Sequence, residues 1–139
     1  LGARVVAIDA DFRKIATARE RSRSLSILWI AADLRTYPLP RDAFDLVMIF
    51  NYLDRARMAE FRQAVRPGGF LLCETFLEAQ REFGWGPMSA DHLLQSGELV
   101  RLAEPFEILL AREVVEFASG RPMAVASVLA QRPVGAPGR

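Results

Sequence analysis

Four polar positions, each at the end of an apolar run, are where this sequence can do chemistry: Asp9, Asp33, Asn51 with Tyr52, and Glu74 with Thr75. A carboxylate at the tip of a strand can accept two hydrogen bonds from the adjacent hydroxyls of a ribose, which suits Asp9. The same carboxylate could instead help to cap the following helix, although Asp11 is better placed for that task. Asp33 could accept a bond from an adenine amino group while its loop backbone reads the ring, or it could close an Asx-type turn into Leu34 and Arg35. Asn51 and Tyr52 present an amide and a phenol suited to a polar substrate or to the amino-acid part of a cofactor. Either could also simply cap the next helix. Asp45 lies at the opposite, amino end of its run and reads as structural.

Other chemistries fail on inventory. A single histidine and a single cysteine cannot build a tetrahedral nitrogen and sulfur metal site, and no H-E-x-x-H pattern occurs. There is no G-x-S-x-G elbow, and His92 stands alone in an irregular stretch, where a surface or packing role is the simpler reading. Phe83, Trp85 and Met88 could form a hydrophobic lid or could pin their loop to the core. Cys73, between apolar neighbours, predicts a buried thiol and a reducing, cytoplasmic setting.

The positioning elements follow from the pattern of apolar residues. With 139 residues, 51% of them apolar and 25% charged, the chain reads as one globular domain. A net charge of +1 argues against a nucleic acid or an anionic membrane as partner, because neither gains much from so balanced a surface. No apolar run approaches the ~18 residues of a spanning helix. Residues 4–10, 26–32, 44–50 and 70–76 are β-prone runs buried on both faces in the manner of parallel strands. Asp11 caps a helix in which Phe12, Ile15 and Ala16 share a face. Met58, Phe61, Ala64 and Val65 stripe a second helix, which stops at a Pro67-Gly68-Gly69 turn. Residues 77–96 predict an irregular loop, Ser96 a cap for a short helix over 97–104, and runs 106–117 and 123–131 an antiparallel hairpin joined by residues 118–122. Residues 133–139 predict a flexible tail. Alternating strands and helices imply right-handed crossovers and an α/β fold with a mostly parallel sheet.

In order, VVAIDAD, AADLRTYPLP, AFDLVMIFNYLDR, VRPGGFLLCETF and a closing hairpin resemble the class I S-adenosylmethionine-dependent methyltransferases, from their second strand to their C-terminus. Within that superfamily NYLDR, the ETF ending and LLQSGEL resemble the tellurite-resistance-type group that acts on small molecules. The resemblance implies a Rossmann-like sheet, mostly parallel with a C-terminal antiparallel hairpin, and S-adenosyl-L-methionine as cofactor across the strand tips. It matches Asp9, with Ala10, to the ribose side, and Asp33 with Leu34 to the pair that reads adenine. Asn51 borders the methionine end of the cofactor, and Tyr52 and Glu74 fall on the side of a small-molecule methyl acceptor. No catalytic residue is assigned, since displacement at a sulfonium methyl needs mainly proximity, alignment and exclusion of water.

Two departures accompany the resemblance. Related sequences often carry His where this chain has Asp54. The family's first strand and its glycine-rich turn, of the D-x-G-x-G type, would precede Leu1, so residues 1–132 read as a partial methyltransferase domain. That strand would sit between those ending at Asp9 and Asn51, and its loss exposes two edges or forces the two strands to pair directly. Two alternatives stand beside this reading: a dinucleotide-binding oxidoreductase fragment, and a non-catalytic remnant that binds a partner through its sheet edges.

Overall fold

A computed structural model describes residues 2–135. Along the chain they divide into two compact units, with the boundary between Pro38 and Leu39.

The first unit is a single strand-helix-strand crossover. The apolar run ending at Asp9 forms β1 (Val5–Asp9), and the second run forms β2 (Ile27–Ala31). They pair in parallel, from Val5 opposite Ile27 to Asp9 opposite Ala31. Between them lies α1 (Phe12–Arg21), whose N-cap is Asp11, its carboxylate accepting from the Arg13 and Lys14 amides. Arg19 and Arg21 occupy the last turn, where cations complement the helix dipole.

The second unit is a four-stranded sheet of order β3-β4-β6-β5. Strand β3 (Phe44–Phe50) runs parallel to β4 (Val65–Phe76), while β6 (Arg121–Gln131) is antiparallel both to β4 and to β5 (Glu107–Ala118). A 3₁₀ turn, Arg55–Arg57, leads into α2 (Met58–Ala64), whose Met58, Phe61 and Ala64 are buried as their spacing predicts. The short α3 (Glu98–Ala103) buries Leu99 and Ala103. Residues 77–96 hold two 3₁₀ turns, Glu78–Phe83 and Ala90–His92. Leu71, Val128 and Ala130, fully buried, share one face of the sheet by register and mark the core there, with Val65 buried at the C-cap of α2, while the equally buried Val125 lies on the opposite face beside Phe76.

Alternation along β3 and β4 divides the sheet into unlike faces. Ile49, Leu71 and Cys73 are buried on one, whereas Leu46, Met48 and Phe50 on the other are about half exposed. Among the described residues β1 pairs only with β2, and β3 only with β4, so each has one edge without a strand partner in its own sheet.

Three local readings are corrected. Pro67-Gly68-Gly69 does not end before the next strand but lies inside β4, where the pairing slips from Phe44–Val65 to Leu46–Phe70. Gly68 takes the φ of +77° that the slip demands, and a Cβ on Gly69 would sit 2.8 Å from the Asp45 carbonyl. Ser96 does not cap α3. Gly97 is the N-cap, at φ +72°, and Ser96 Oγ instead donates to Glu113 at 2.7 Å. The hairpin turn is the two-residue Ser119-Gly120, both at positive φ, as a tight turn between twisted strands requires. Beyond β6, residues 132–135 carry no regular structure; the rest of the tail, residues 136–139, lies outside the described residues.

Candidate functional site

Asp9 is the last residue of β1, and Asp33 follows β2 by two residues. Because the two strands are parallel and in register, both acids lie on the same, carboxyl rim of their sheet. The Asp9 carbonyl accepts the Ala32 amide at 3.0 Å, which ties the two strand exits together. Asp9 Oδ1 accepts the Asp11 amide at 2.7 Å, while Oδ2 accepts nothing from the described residues. An exposed carboxylate oxygen on a strand rim fits the demand of a ribose hydroxyl. Asp11, not Asp9, caps α1.

Asp33 is differently committed. Its Oδ1 accepts both the Arg35 amide and Arg35 Nε, and its Oδ2 accepts Nε and Nη2, at 2.7–3.1 Å. These four contacts occupy the lone-pair directions of a carboxylate. Its hydrogen bonds from the Arg35 side chain, then those from the Arg35 backbone, lower its pKa to about 2. The Asx-type turn foreseen for this residue is present, but the guanidinium laid over the carboxylate was not foreseen. An adenine amino group would reach Asp33 only by displacing Arg35. Ala10 and Leu34 stand beside the two acids at the strand exits.

In the second unit the end of β3 turns sharply. Asn51 adopts φ +53°, a left-handed conformation in which asparagine is tolerated better than most residues, and its amide donates to the Glu74 carbonyl at 3.0 Å. Asn51 and Glu74 are thus neighbours across the β3-β4 pair. Tyr52 packs edge-on against Phe61 at 6.1 Å between ring centres, and its hydroxyl lies 3.4 Å from Asp54 Oδ2. Asp54 caps the following 3₁₀ turn through the Arg57 amide. The Glu74 carboxylate points along the sheet and is bonded there: Oε2 accepts from Ser127 Oγ at 2.5 Å and from Arg112 Nη2 at 3.3 Å.

The segment over residues 77–96 is anchored rather than loose. Trp85 Nε1 donates to the Pro122 carbonyl at 2.9 Å, its ring stands edge-on to Phe76, and the Arg121 guanidinium lies over it. Of the aromatic and methionine trio, Trp85 therefore pins its loop, while Met88 stays exposed. His92 is exposed in its short turn. A second anchor was missed by sequence reasoning: Arg55 donates Nε to Glu98 Oε1 at 2.5 Å and Nη2 to the Leu93 carbonyl at 2.8 Å, with Nη1 near the Ala90 and Asp91 carbonyls. Five planar donors suit this task, but nothing in the spacing of residues 55 and 98 signals it.

Cys73 is buried and free, and burial pushes its thiol up to about 12. Asp45 pairs with Arg66 at the surface. Among the described residues there is no cluster of metal-ligating side chains, and no helix is long and apolar enough to cross a membrane.

Against known proteins, residues 1–69 match a family described as a methyltransferase domain. The chain is 35% identical over 80 residues to the malonyl-[acyl-carrier protein] O-methyltransferase of Hahella chejuensis, an alignment that takes in 54% of this chain and 29% of that protein. The chain thus spans less than a third of the curated relative's length. It is also similar in structure to the N-methyltransferase NodS of Bradyrhizobium japonicum, solved with S-adenosyl-L-homocysteine, with a TM-score of 0.71 and 19% identity over 94% of this chain and 67% of that one. TehB of Haemophilus influenzae gives a TM-score of 0.74 at 19% identity, covering 95% of this chain and 51% of the other. At such identities the structural likeness establishes the α/β Rossmann-like fold.

Proposed function

We propose that this chain is part of a class I S-adenosylmethionine-dependent methyltransferase that transfers a methyl group to a small-molecule acceptor, a reading supported by the match of residues 1–69 to a methyltransferase domain family and by the methyltransferase relatives. The observation that carries this reading is the shared rim, with Asp9 and Asp33 at the exits of two parallel strands in register. In this assignment Asp9, beside Ala10, accepts the ribose hydroxyls through its open Oδ2, and Asp33 with Leu34 takes the adenine edge once Arg35 swings aside. Asn51 borders the methionine end, held in place by its bond to the Glu74 carbonyl. Tyr52 and Glu74 stand on the acceptor side, Tyr52 oriented by Phe61 and Glu74 by Ser127 and Arg112.

S-adenosylmethionine supplies an activated methyl group, so what remains for the side chains is binding, alignment and exclusion of water. No acid-base pair is required of them. On the same reading the polypeptide works as part of a longer enzyme whose glycine-rich turn, preceding Leu1, lets the methionine portion approach the backbone closely. The curated relative's name gives malonyl-[acyl-carrier protein] as that enzyme's own acceptor; the small-molecule acceptor proposed for this chain rests on the likeness of NYLDR and LLQSGEL to the tellurite-resistance-type group.

Calorimetric titration with S-adenosylhomocysteine tests the proposal on the chain as given and on the chain extended upstream through the glycine turn. The extended chain is expected to bind one equivalent, and Asp9→Asn to weaken that binding at least about tenfold, the value of roughly one charge-assisted hydrogen bond. Absence of heat from the extended chain, with its fold verified by circular dichroism, overturns the reading.

A further inference from the structure

The outer edge of β5 is a twelve-residue strand with no partner among the described residues. Proteins usually blunt such an edge with charged side chains, lysine above all, with proline or with a bulge, and the charges on this one are Arg112, Glu113 and Glu116. Here the irregularity lies at one end, between Ile108 and Leu110, and residues 110–118 contain neither lysine nor proline. The edge is also apolar: Leu110, Val115 and Phe117 are 52%, 57% and 77% exposed. Its charges are arranged in a particular way. Arg112, Val114 and Glu116 stand opposite Ser127, Val125 and Met123 of β6 and therefore share one face of the sheet. One guanidinium, that of Arg112, serves two carboxylates, Glu74 at 3.3 Å and Glu116 at 3.4 Å, so Glu116 is only partly neutralised within the chain.

We propose that this edge is an interaction surface for a second copy of the chain, the two β5 strands pairing antiparallel about a two-fold axis at Val114. A two-fold axis normal to a sheet sets residues of the same face opposite each other, and the position of the charges then selects the register. Centring on Arg112, Glu113 or Glu116 places a like charge against itself. Centring on Val114 places Arg112 opposite the second copy's Glu116, twice. On the other face Phe117 meets the second copy's Ala111, and Val115 meets its Glu113, while Leu110 lies opposite Ala118. Every unpaired backbone group from residue 110 to 118 gains a partner. A nine-residue edge buries less than the ~1,600 Å² of a standard stable interface, so the dimer dissociates on dilution. The proposal is independent of the methyl-transfer reading.

The test is sedimentation equilibrium across a wide range of protein concentration on wild type, Arg112→Glu, Glu116→Arg, and an equimolar mixture of the two variants. The wild type is expected to shift from monomer to dimer with concentration. Each reversal alone sets like charges opposite each other twice and weakens self-association by roughly tenfold or more. The mixture restores a dimer, because one chain then offers two acids and the other two arginines at the four facing positions. Rescue by mixing cannot come from a pairing within one chain. Glu116→Arg leaves the bonds among Glu74, Ser127 and Arg112 in place and guards against a folding defect in Arg112→Glu, and circular dichroism checks both. A wild type that stays monomeric throughout, variants that still dimerise alone, or a mixture that stays monomeric overturns the proposal.

Discussion

Asp33 and Arg35 are the pair on which the adenine end of the proposed site turns. The carboxylate lies at about pKa 2 because the Arg35 side chain, and then its backbone, bond to it. Both side chains are well exposed, at 41% and 77%, so the pair adds little to stability and can open at little cost. Arg35→Ala is accordingly expected to raise the Asp33 titration midpoint toward the ordinary value of about 3.9 while leaving the unfolding transition nearly unchanged. Side-chain carboxyl NMR across the acid range measures the first, and chemical denaturation the second. If Asp33 receives the adenine amino group, the same variant tightens S-adenosylhomocysteine binding to the extended chain, since no guanidinium need be displaced. A midpoint that stays near 2 would show that something other than the Arg35 side chain, the backbone amide of residue 35 included, holds the carboxylate ionised. The acids themselves were legible in the sequence because each ends a buried apolar run. Arg35 was not, because an exposed side chain two residues along a loop leaves no periodic trace.

Between elements, the clasp of Arg55 on Glu98 joins the turn after β3 to the start of α3. Glu98 is 15% exposed and also accepts the Gln95 amide at 2.9 Å. Its pKa is lowered, first by the hydrogen bonds from Arg55 and then by those from the Gln95 backbone, against the opposing cost of burial. A carboxylate whose folded pKa lies below its unfolded value of about 4.3 contributes stability that is complete above that value and fades as pH falls through the folded one. Glu98→Gln is therefore expected to cost about 1–2 kcal/mol at pH 7, and to lose less than the wild type does between pH 7 and pH 3. Urea unfolding at the two pH values measures both differences, and equal acid losses in the two proteins would remove Glu98 from the account. Most elements were legible at this scale: β3 matches residues 44–50 and α2 keeps the stripe of Met58, Phe61 and Ala64. What failed was local chemistry overridden by partners distant in sequence. Ser96 carries the hydroxyl of a helix cap, yet Glu113, distant in sequence, takes both that hydroxyl and the Gly97 amide, and Gly97 becomes the N-cap. Pro67-Gly68-Gly69 reads locally as a turn, yet the close pass of Gly69 over Asp45 absorbs it into β4.

Across the whole chain, burial is unevenly distributed. Not one described residue of 2–38 is buried, and Val5, Val6, Phe12, Leu25 and Leu28 are between 37% and 66% exposed. The unit that carries Asp9 and Asp33 has two strands and one helix, below the roughly 40 residues at which a domain begins to hold itself together without staples. The unit from Leu39 onward, by contrast, encloses Leu71, Val65, Val125, Val128 and Ala130 completely. Sequence periodicity marked the runs of both units as equally buried because it records which side chains are apolar, not whether anything lies against them. Local opening should therefore be cheap in the first unit and approach global unfolding in the second. Native-state hydrogen exchange is expected to protect the amides of Leu71–Cys73 and Val125–Val128 at least about a hundredfold more than those of Val6–Ile8 and Leu28–Ile30, a gap of about 2.7 kcal/mol or more in opening free energy. Equal protection in both would mean that the first unit is held by contacts its exposure does not reveal. A ligand that grips Asp9 binds only the closed form of its unit, so in the extended chain saturating S-adenosylhomocysteine should slow exchange in β1 and β2 by the linkage term RT ln(1 + [L]/Kd) while leaving β4 and β6 nearly unmoved. Slowing spread evenly over all strands would instead assign the ligand to a site that does not include the Asp9 rim.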